Sequence, residues 1–253
     1  MSSFAEKVAQ ADTPLVGIFV TLPSPQIVEI TGLVGYDYVV VDQEHTVIDD
    51  AALEDMARAA EAVGMHTMVR VPDQDPQAIG RVAETGVDAI MFPMVETAEQ
   101  ARVCVRAVHH PPRGTRGQSS LSRSLGFASG RPRPAPVCVI EVETRTGVEN
   151  IGEILSIPDV DMVFIGPGDL RNSLLVDGRS AEETTANLKE AIDTAVQAVT
   201  SHDTVTLGMP ATYPLLKWDI EQCRSVGTKI VTIGADVSFL AGALAGARKQ
   251  FTG

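Results

Sequence analysis

A single (β/α)8 barrel of the α/β class is the fold this sequence predicts, and three observations predict it. Eight short, apolar, β-branched runs punctuate the chain, each too brief for a helix. Longer stretches of helical period separate them. The chain is 253 residues long, the size of one such barrel, and no Pro/Ser-rich linker divides it. One domain over residues 1–253 is therefore expected.

The strand candidates are residues 15–21, 36–41, 66–71, 88–92, 137–142, 161–165, 204–207 and 229–233. Most are continuously apolar, as strands covered on both faces are. The helical stretches are 25–33, 50–63, 76–85, 98–108, 147–155, 184–200, 213–226 and 236–249. Several carry end signals: Asp49 or Asp50 can cap the second helix and Asp236 the last. Gly64 and Gly86 follow helix ends, where a left-handed residue is needed. A doubly wound sheet would show G-x-G-x-x-G after its first strand. The nearest string, Gly166-Pro167-Gly168-Asp169, follows a late strand and lacks the third glycine, so that fold is rejected.

Residues 111–136 break the regular spacing. They are too polar and turn-rich for a strand or long helix, and a loop of this length is commonly a lid, a binding loop or a mobile surface excursion. Arg113, Arg116 and Arg123 concentrate positive charge there, which suggests an anion-facing loop.

Composition narrows the function. Twenty basic against 33 acidic side chains leave a net charge of −13, with an isoelectric point near 4.7. Nucleic acid is excluded as a partner, because phosphate neutralisation needs a basic face. An acidic ligand would need a local cation, either a metal or a specific arginine. No apolar run reaches membrane-spanning length, and the first residues, MSSFAEKVAQADTP, have acids where a secretory leader is basic and then apolar. Cys104, Cys138 and Cys223 are widely spaced and form no C-x-x-C. Structural thiols in a reducing cytoplasm are expected.

In a barrel the C-terminal strand ends form the active-site face. Here strand two ends in Asp42-Gln43-Glu44-His45, strand three contains Arg70, strand five runs to Glu143, and strand six meets Gly166-Pro167-Gly168-Asp169. Charged groups at buried strand ends are costly unless paired or metal-bound, so a shared site is expected. Glu143 and Asp169 supply hard carboxylate oxygens suited to Mg2+ or Mn2+, with Co2+ or Zn2+ as further candidates; each acid could instead cap a helix or pair with an arginine such as Arg145. Glu141 faces the same side of its strand as Glu143. The glycine-rich turn can offer backbone N–H groups to a carboxylate. His45 suits proton transfer near neutral pH, with Asp42 or Glu84 to orient it. Arg70 interrupts an apolar strand and can stabilise a developing oxyanion, its rival role being an ion pair with Asp42 or Glu44. The remaining histidines, His66, His109, His110 and His202, lack such a setting.

The strings GYDYVVVDQEH, MVRVPDQDPQAI, ETGVDAIMFPMVETAEQA, HPPRGTRG, VIEVETRTGVENI and VDMVFIGPGDL, in this order, resemble the HpcH/HpaI family of class II pyruvate aldolases. The resemblance implies a (β/α)8 barrel, usually hexameric, in which a divalent metal chelates the keto and carboxylate oxygens of pyruvate. It puts the metal ligands at Glu143 and Asp169, the catalytic histidine at His45 with acids at Asp42 and Glu84, the enolate-stabilising arginine at Arg70, and the carboxylate-binding turn at Gly168 and Asp169. Three departures stand out: Glu84 where the family carries aspartate, Glu141 where glutamine is common, and RNSLLVDG after Asp169.

The resulting expectation is a carbon–carbon lyase that cleaves 4-hydroxy-2-oxo acids reversibly to pyruvate and an aldehyde. Oxaloacetate decarboxylation or a biosynthetic C–C bond step through the same enolate is the alternative. Lys229 begins a strand, at the wrong end for Schiff-base chemistry. A phosphate-binding isomerase is disfavoured because Asp236 follows the last strand, and a non-catalytic scaffold would not need Asp42, His45, Arg70, Glu143 and Asp169 together. The partners expected are a small 2-oxo acid, an aldehyde and further copies of the chain.

Overall fold

The computed structural model describes residues 2–175, 180–214 and 218–252. After a short helix α1 (Phe4–Gln10), strands and helices alternate: β1 (Leu15–Val20), α2 (Pro25–Leu33), β2 (Tyr38–Asp42), α3 (Asp50–Ala62), β3 (His66–Arg70), α4 (Pro76–Glu84), β4 (Ala89–Phe92) and α5 (Ala98–Val108). The second half holds β5 (Val137–Val142), α6 (Arg145–Glu149), α7 (Ile151–Leu155), β6 (Met162–Ile165), α8 (Pro167–Leu175), α9 (Ala181–Thr200), β7 (Thr206–Pro210), α10 (Ile220–Ser225), β8 (Ile230–Ala235) and α11 (Asp236–Thr252). All eight strands are parallel, each pairs with its chain neighbours, and β8 closes on β1. The expected (β/α)8 barrel is the fold.

Every expected strand is present within a few residues. The helices differ in instructive ways. The stretch 147–155 forms two helices that meet at Asn150, whose side-chain amide donates to Glu96 O at 2.9 Å and so ties the break to the loop after β4. The Gly-Pro-Gly-Asp string, read as a turn, instead opens the nine-residue α8. Part of the helix expected over 213–226 lies outside the described residues, and the described helix there is only α10. Asp49 caps α3 through Ala52 N–H at 2.8 Å, and Gly64 and Gly86 take the left-handed conformation (φ 73° and 78°). Asp236, expected as the N-cap of the last helix, is instead the first residue of α11 and accepts from Val237 N–H. Its carboxylate also accepts from Thr21 N–H, Thr21 Oγ1 and Leu22 N–H at 2.7–3.0 Å, clamping the end of β1 to the end of β8.

Side chains alternate across each strand, so every second residue points into the barrel. Tyr38 and Val40, Met68, Ala89 and Met91, Val137 and Val139, Met162 and Phe164, and Ile230 fill the interior. The alternate residues, such as Val39, Val41, Val69, Ile90, Ile140 and Val163, pack outward against the helices. Tyr38 fits only because Gly17 faces it: a Cβ there would lie 2.4 Å from the ring. Below, Phe4 of α1 closes the barrel against Tyr38 and His66, at ring separations of 5.6 and 5.3 Å. This plug was not expected from the sequence, because seven residues carry too little periodicity.

Residues 111–136 remain without helix or strand, but they join α5 to β5 and therefore cross the end of the barrel opposite the C-terminal rim. The anion-facing role is corrected accordingly. Arg113 pairs with Asp159, Arg123 with Glu61 and with the carbonyls of Thr85 and Gly86, and Arg116 is buried against His110. Arg113 and Arg123 thus fasten the loop to the barrel floor through carboxylate and carbonyl partners, while Arg116 is held by His110 with its Nε and Nη1 lacking a hydrogen bond.

Candidate active site

Continuing the inward alternation by one step explains where the polar residues meet. Asp42 follows Val40, Arg70 follows Met68, Glu141 and then Glu143 follow Val139, and Gly166 follows Phe164. Each sits at the C-terminal end of its strand and turns to the barrel axis. There a cavity of about 420 Å3 opens, lined by Asp42, Arg70, Glu141, Glu143, Gly168 and Asp169 on one side. Phe19, Phe164, Pro210, Tyr213 and Thr232 contribute to its remaining walls.

Arg70 is the hub. Its Nε donates to Asp42 Oδ1 at 3.0 Å and its Nη2 to Asp42 Oδ2 at 2.8 Å, a two-pronged contact. Glu44 Oε2 lies 3.2 Å from Nε, Glu141 Oε2 lies 3.6 Å from Nη1, and the guanidinium sits 5.0 Å from the Phe19 ring centre. Burial opposes the positive charge, but Asp42, Glu141 and Glu44 outweigh it and hold Arg70 firmly protonated. The ion pair expected as the rival role of Arg70 is present, and the acids that fix this cation leave it lining the cavity.

The acids around it are crowded. Burial pushes Glu143 up to about 7; the N–H of Met94, donating to Oε1 at 2.8 Å, opposes that rise, while Glu44 and Asp169 add to it. Met94 holds this N–H in place from a left-handed backbone (φ 55°), an uncommon conformation for a residue with a side chain. Nothing in the sequence signals that contact. Burial, with Glu143 nearby, raises Glu141 well above an ordinary carboxyl, and burial raises Glu44 as well. Five carboxyls, Asp42, Glu44, Glu141, Glu143 and Asp169, thus share one guanidinium.

A divalent cation suits this imbalance. Among the described residues no group of three His, Cys, Asp or Glu side chains is placed to hold a metal, so Glu143 and Asp169 would act as a pair, with other positions left to water and ligand. The crowding of buried acids and the lack of a hydrogen bond at Glu141 Oε2 fit such a guest. Gly166 makes room for these acids: a Cβ there would lie 2.7 Å from Glu143 Oε2 and 3.0 Å from Glu141 Oε1. Gly168 and Asp169 fall in the first turn of α8, where backbone N–H groups have no carbonyl of their own helix to bond. That is a setting for a carboxylate.

His45 stands on the loop after β2, with its side chain 60% exposed and Nε2 3.5 Å from Glu44 Oε2. Asp42, expected to orient the imidazole, instead serves Arg70 and accepts from the backbone N–H groups of Glu44 and, at 3.5 Å, His45. Glu44, for which the sequence suggests only an ion pair with Arg70, is the acid beside the ring. Glu84 is not brought to this rim. It ends α4, a helix that runs back toward the strand N-termini, and accepts from Ser124 Oγ at 2.9 Å beside a separate groove shared with Arg116.

Two negative expectations keep their geometry. Lys229 donates Nζ to Ala11 O at 3.1 Å, at the α1 end of the barrel. All three cysteines are buried and free, and burial drives Cys104 up to about 12, far from a reactive thiolate.

Comparison with known proteins adds identity to the geometry. Residues 15–243 match the HpcH/HpaI aldolase/citrate lyase family. A hydroxypyruvate/pyruvate aldolase of Roseovarius nubinhibens is 31% identical over 249 residues, covering 95% of this chain and 93% of that protein. A 2-keto-3-deoxy-L-rhamnonate aldolase of Escherichia coli is 28% identical over 248 residues, 95% of this chain and 90% of that one. The crystal structure of an HpcH/HpaI aldolase/citrate lyase family protein from Burkholderia cenocepacia superposes with a TM-score of 0.86 at 28% identity, covering 98% of both chains.

Proposed function

The chain belongs to the HpcH/HpaI aldolase/citrate lyase family, and from that premise we propose that it is a divalent-metal-dependent aldolase. Its reaction is the reversible cleavage of 4-hydroxy-2-oxo acids to pyruvate and an aldehyde. The observation that carries this reading is the single guanidinium, held by Asp42 and set among carboxyls, at the C-terminal rim of the barrel.

Each residue has a task that follows from charge. Glu143 and Asp169 would hold Mg2+ or Mn2+, with Co2+ or Zn2+ as substitutes. The metal, when bound, supplies Lewis acidity toward the keto oxygen of the oxo acid. Arg70, unable to lose its proton, offers fixed positive charge to the oxygen on which negative charge grows as the C3–C4 bond breaks. The N–H groups of Gly168 and Asp169 orient the substrate carboxylate. His45 takes the 4-hydroxyl proton in cleavage and returns it in condensation, with Glu44 beside its imidazole. Glu84 can join this relay only across a subunit boundary, because its helix end lies toward the other face of the barrel.

Two coarser features support the setting. Buried, unpaired thiols suit a reducing cytoplasm, and no described helix is long and apolar enough to cross a membrane. A homo-oligomer, hexameric by resemblance, is supported by α11, which carries Phe239, Leu240 and Leu244 on its surface.

The test is a metal-replete screen with pyruvate and a panel of aldehydes, run beside chelator-treated protein. Wild type is expected to form aldol adducts only with metal. Glu143→Ala should lower turnover by at least about a hundredfold, as loss of a principal electrostatic group does. Full activity in the chelated protein would refute the mechanism. Pyruvate release from oxaloacetate, without any aldol product, would favour the decarboxylase alternative.

A further inference from the structure

We propose that the barrel floor carries a seat for a tetrahedral oxyanion of the phosphate class, formed by Arg131 and Arg133 beside the fastened Arg123, with Glu61 as its internal competitor. The seat lies at the opposite end of the barrel from the catalytic rim and does not depend on the reaction there.

A cavity of about 480 Å3 lies between the end of α3, the residues before α1 and the segment 123–134. Three guanidiniums line it, those of Arg123, Arg131 and Arg133, against two carboxyls, Glu61 and Asp88. In a chain of net charge −13 such a local excess of cations is an exception. Arg123 is 8% exposed, with Nη1 donating to Thr85 O at 2.9 Å and Nη2 to Glu61 Oε2. Arg133 Nη2 donates to that same oxygen. Two cations thus share one carboxylate oxygen, on a side chain that is 51% exposed. Arg131 makes no hydrogen bond or ion pair among the described residues. Asp88 is committed elsewhere: it accepts from Thr67 N–H at 2.9 Å and lies 3.4 Å from His66 Nδ1.

Local sequence holds the cations ready. Arg131 and Arg133 each precede a proline, which keeps them extended, and side chains two residues apart on extended backbone leave the same side. Arg133 N–H donates to Ser124 O at 2.8 Å and pins the segment. Gly86, left-handed at φ 78°, opens the space where two of the arginines meet. A Cβ there would lie 2.7 Å from Arg123 Nη1 and 2.9 Å from Arg133 Cδ. A carboxylate brings one charge and two oxygens in a plane. A phosphate group brings more oxygens and a second charge, the better match to three planar forks. Ser129 adds a hydroxyl to the same wall. Such an anion takes the place of Glu61 Oε2, the half-exposed group, between the guanidiniums.

The experiment is calorimetric titration of the full chain, metal-free and Mg2+-loaded, with inorganic phosphate and with glycerol 3-phosphate at constant ionic strength. Wild type is compared with Arg131→Gln, Arg133→Gln and Glu61→Gln. Wild type should bind phosphate saturably in both metal states. Arg131→Gln, which breaks no described contact, should weaken binding about tenfold, as loss of a charged hydrogen bond does, and Arg133→Gln should do the same. Glu61→Gln should tighten binding about fivefold, because a competing like charge is removed. Absence of saturable binding in wild type would overturn the assignment. Affinity within twofold of wild type in Arg131→Gln would overturn it as well, since the anion would then sit elsewhere, and this variant decides even where Arg133→Gln does not fold. Unchanged or weaker binding in Glu61→Gln would show that Glu61 fastens the loop without competing, and would also overturn it. Glycerol 3-phosphate binding at least as tightly as inorganic phosphate assigns the seat to a phosphorylated metabolite, and weaker binding assigns it to free phosphate; either result upholds the seat.

Discussion

Gly166 has no side chain, and the candidate metal pair depends on that. A methyl group there would intrude to 2.7 Å of Glu143 Oε2 and 2.8 Å of its Cβ, with the strand backbone leaving little room to yield. Gly166→Ala should displace the Glu143 carboxylate and weaken Mn2+ binding about tenfold, the lower end of what disturbed support of a ligand costs. Calorimetric titration with Mn2+ reads this directly, and unchanged affinity would remove Glu143 from the ligand set. The same scale explains Arg70. Its planar fork matches both oxygens of Asp42, an arrangement that a lysine ammonium cannot reproduce. Asp42 is thus the residue that aims the cation, and His45, three residues on, receives from it only a backbone contact.

At the scale of elements, the end of α5 and the loop after it carry a pH response. His109 caps α5, is 4% exposed, and has no partner at Nε2. Burial, reinforced by Arg113, lowers its pKa from 6.5 to about 4, with Asp159 opposing. The unfolded chain therefore binds a proton that the native protein refuses between those values. Stability from this group is complete above pH 6.5 and is lost as the pH falls toward 4, by up to about 3 kcal/mol. Denaturant midpoints across that window should fall more steeply in wild type than in His109→Gln; parallel curves would show that the ring is protonated in the folded state. The position of this loop matters for function through absence. Its arginines lie at the barrel floor, Arg113 and Arg123 on acids and carbonyls and Arg116 on His110, so the cation of the active site comes from a strand.

For the whole molecule, α11 is the element the barrel leaves open. Only Asp236 of its 17 residues is buried, while Val237, Phe239, Leu240, Leu244 and Phe251 are exposed. The helix leaves the barrel from the Asp236 clamp and covers none of the neighbouring helices as the others do. A second copy of the chain is the partner that a homo-oligomer supplies. Wild type should sediment well above the 26.9 kDa of one chain, and Leu244→Glu, which puts a charge on the apolar face, should move the distribution toward that value. A wild type that sediments as a monomer at micromolar concentration would end the oligomer proposal.

Much of this was legible from residue order because strand alternation is a local property. A run such as Tyr38-Val39-Val40-Val41-Asp42 states which side chains face inward and which residue ends the series, and so residue order alone places Asp42, Arg70, Glu143 and Asp169 at one rim. The eight strands, Gly64, Gly86 and the cap at Asp49 follow from the same short-range rules. What residue order could not settle was partner choice, because β2, β3 and β5 come together only when the sheet closes. Closure gave Asp42 to Arg70, put Glu44 beside His45, set Glu141 Oε2 3.6 Å from Arg70 Nη1, and sent Glu84 and the arginine-rich loop toward the far end. Those outcomes depend on distances across a ring, which a one-dimensional period does not contain.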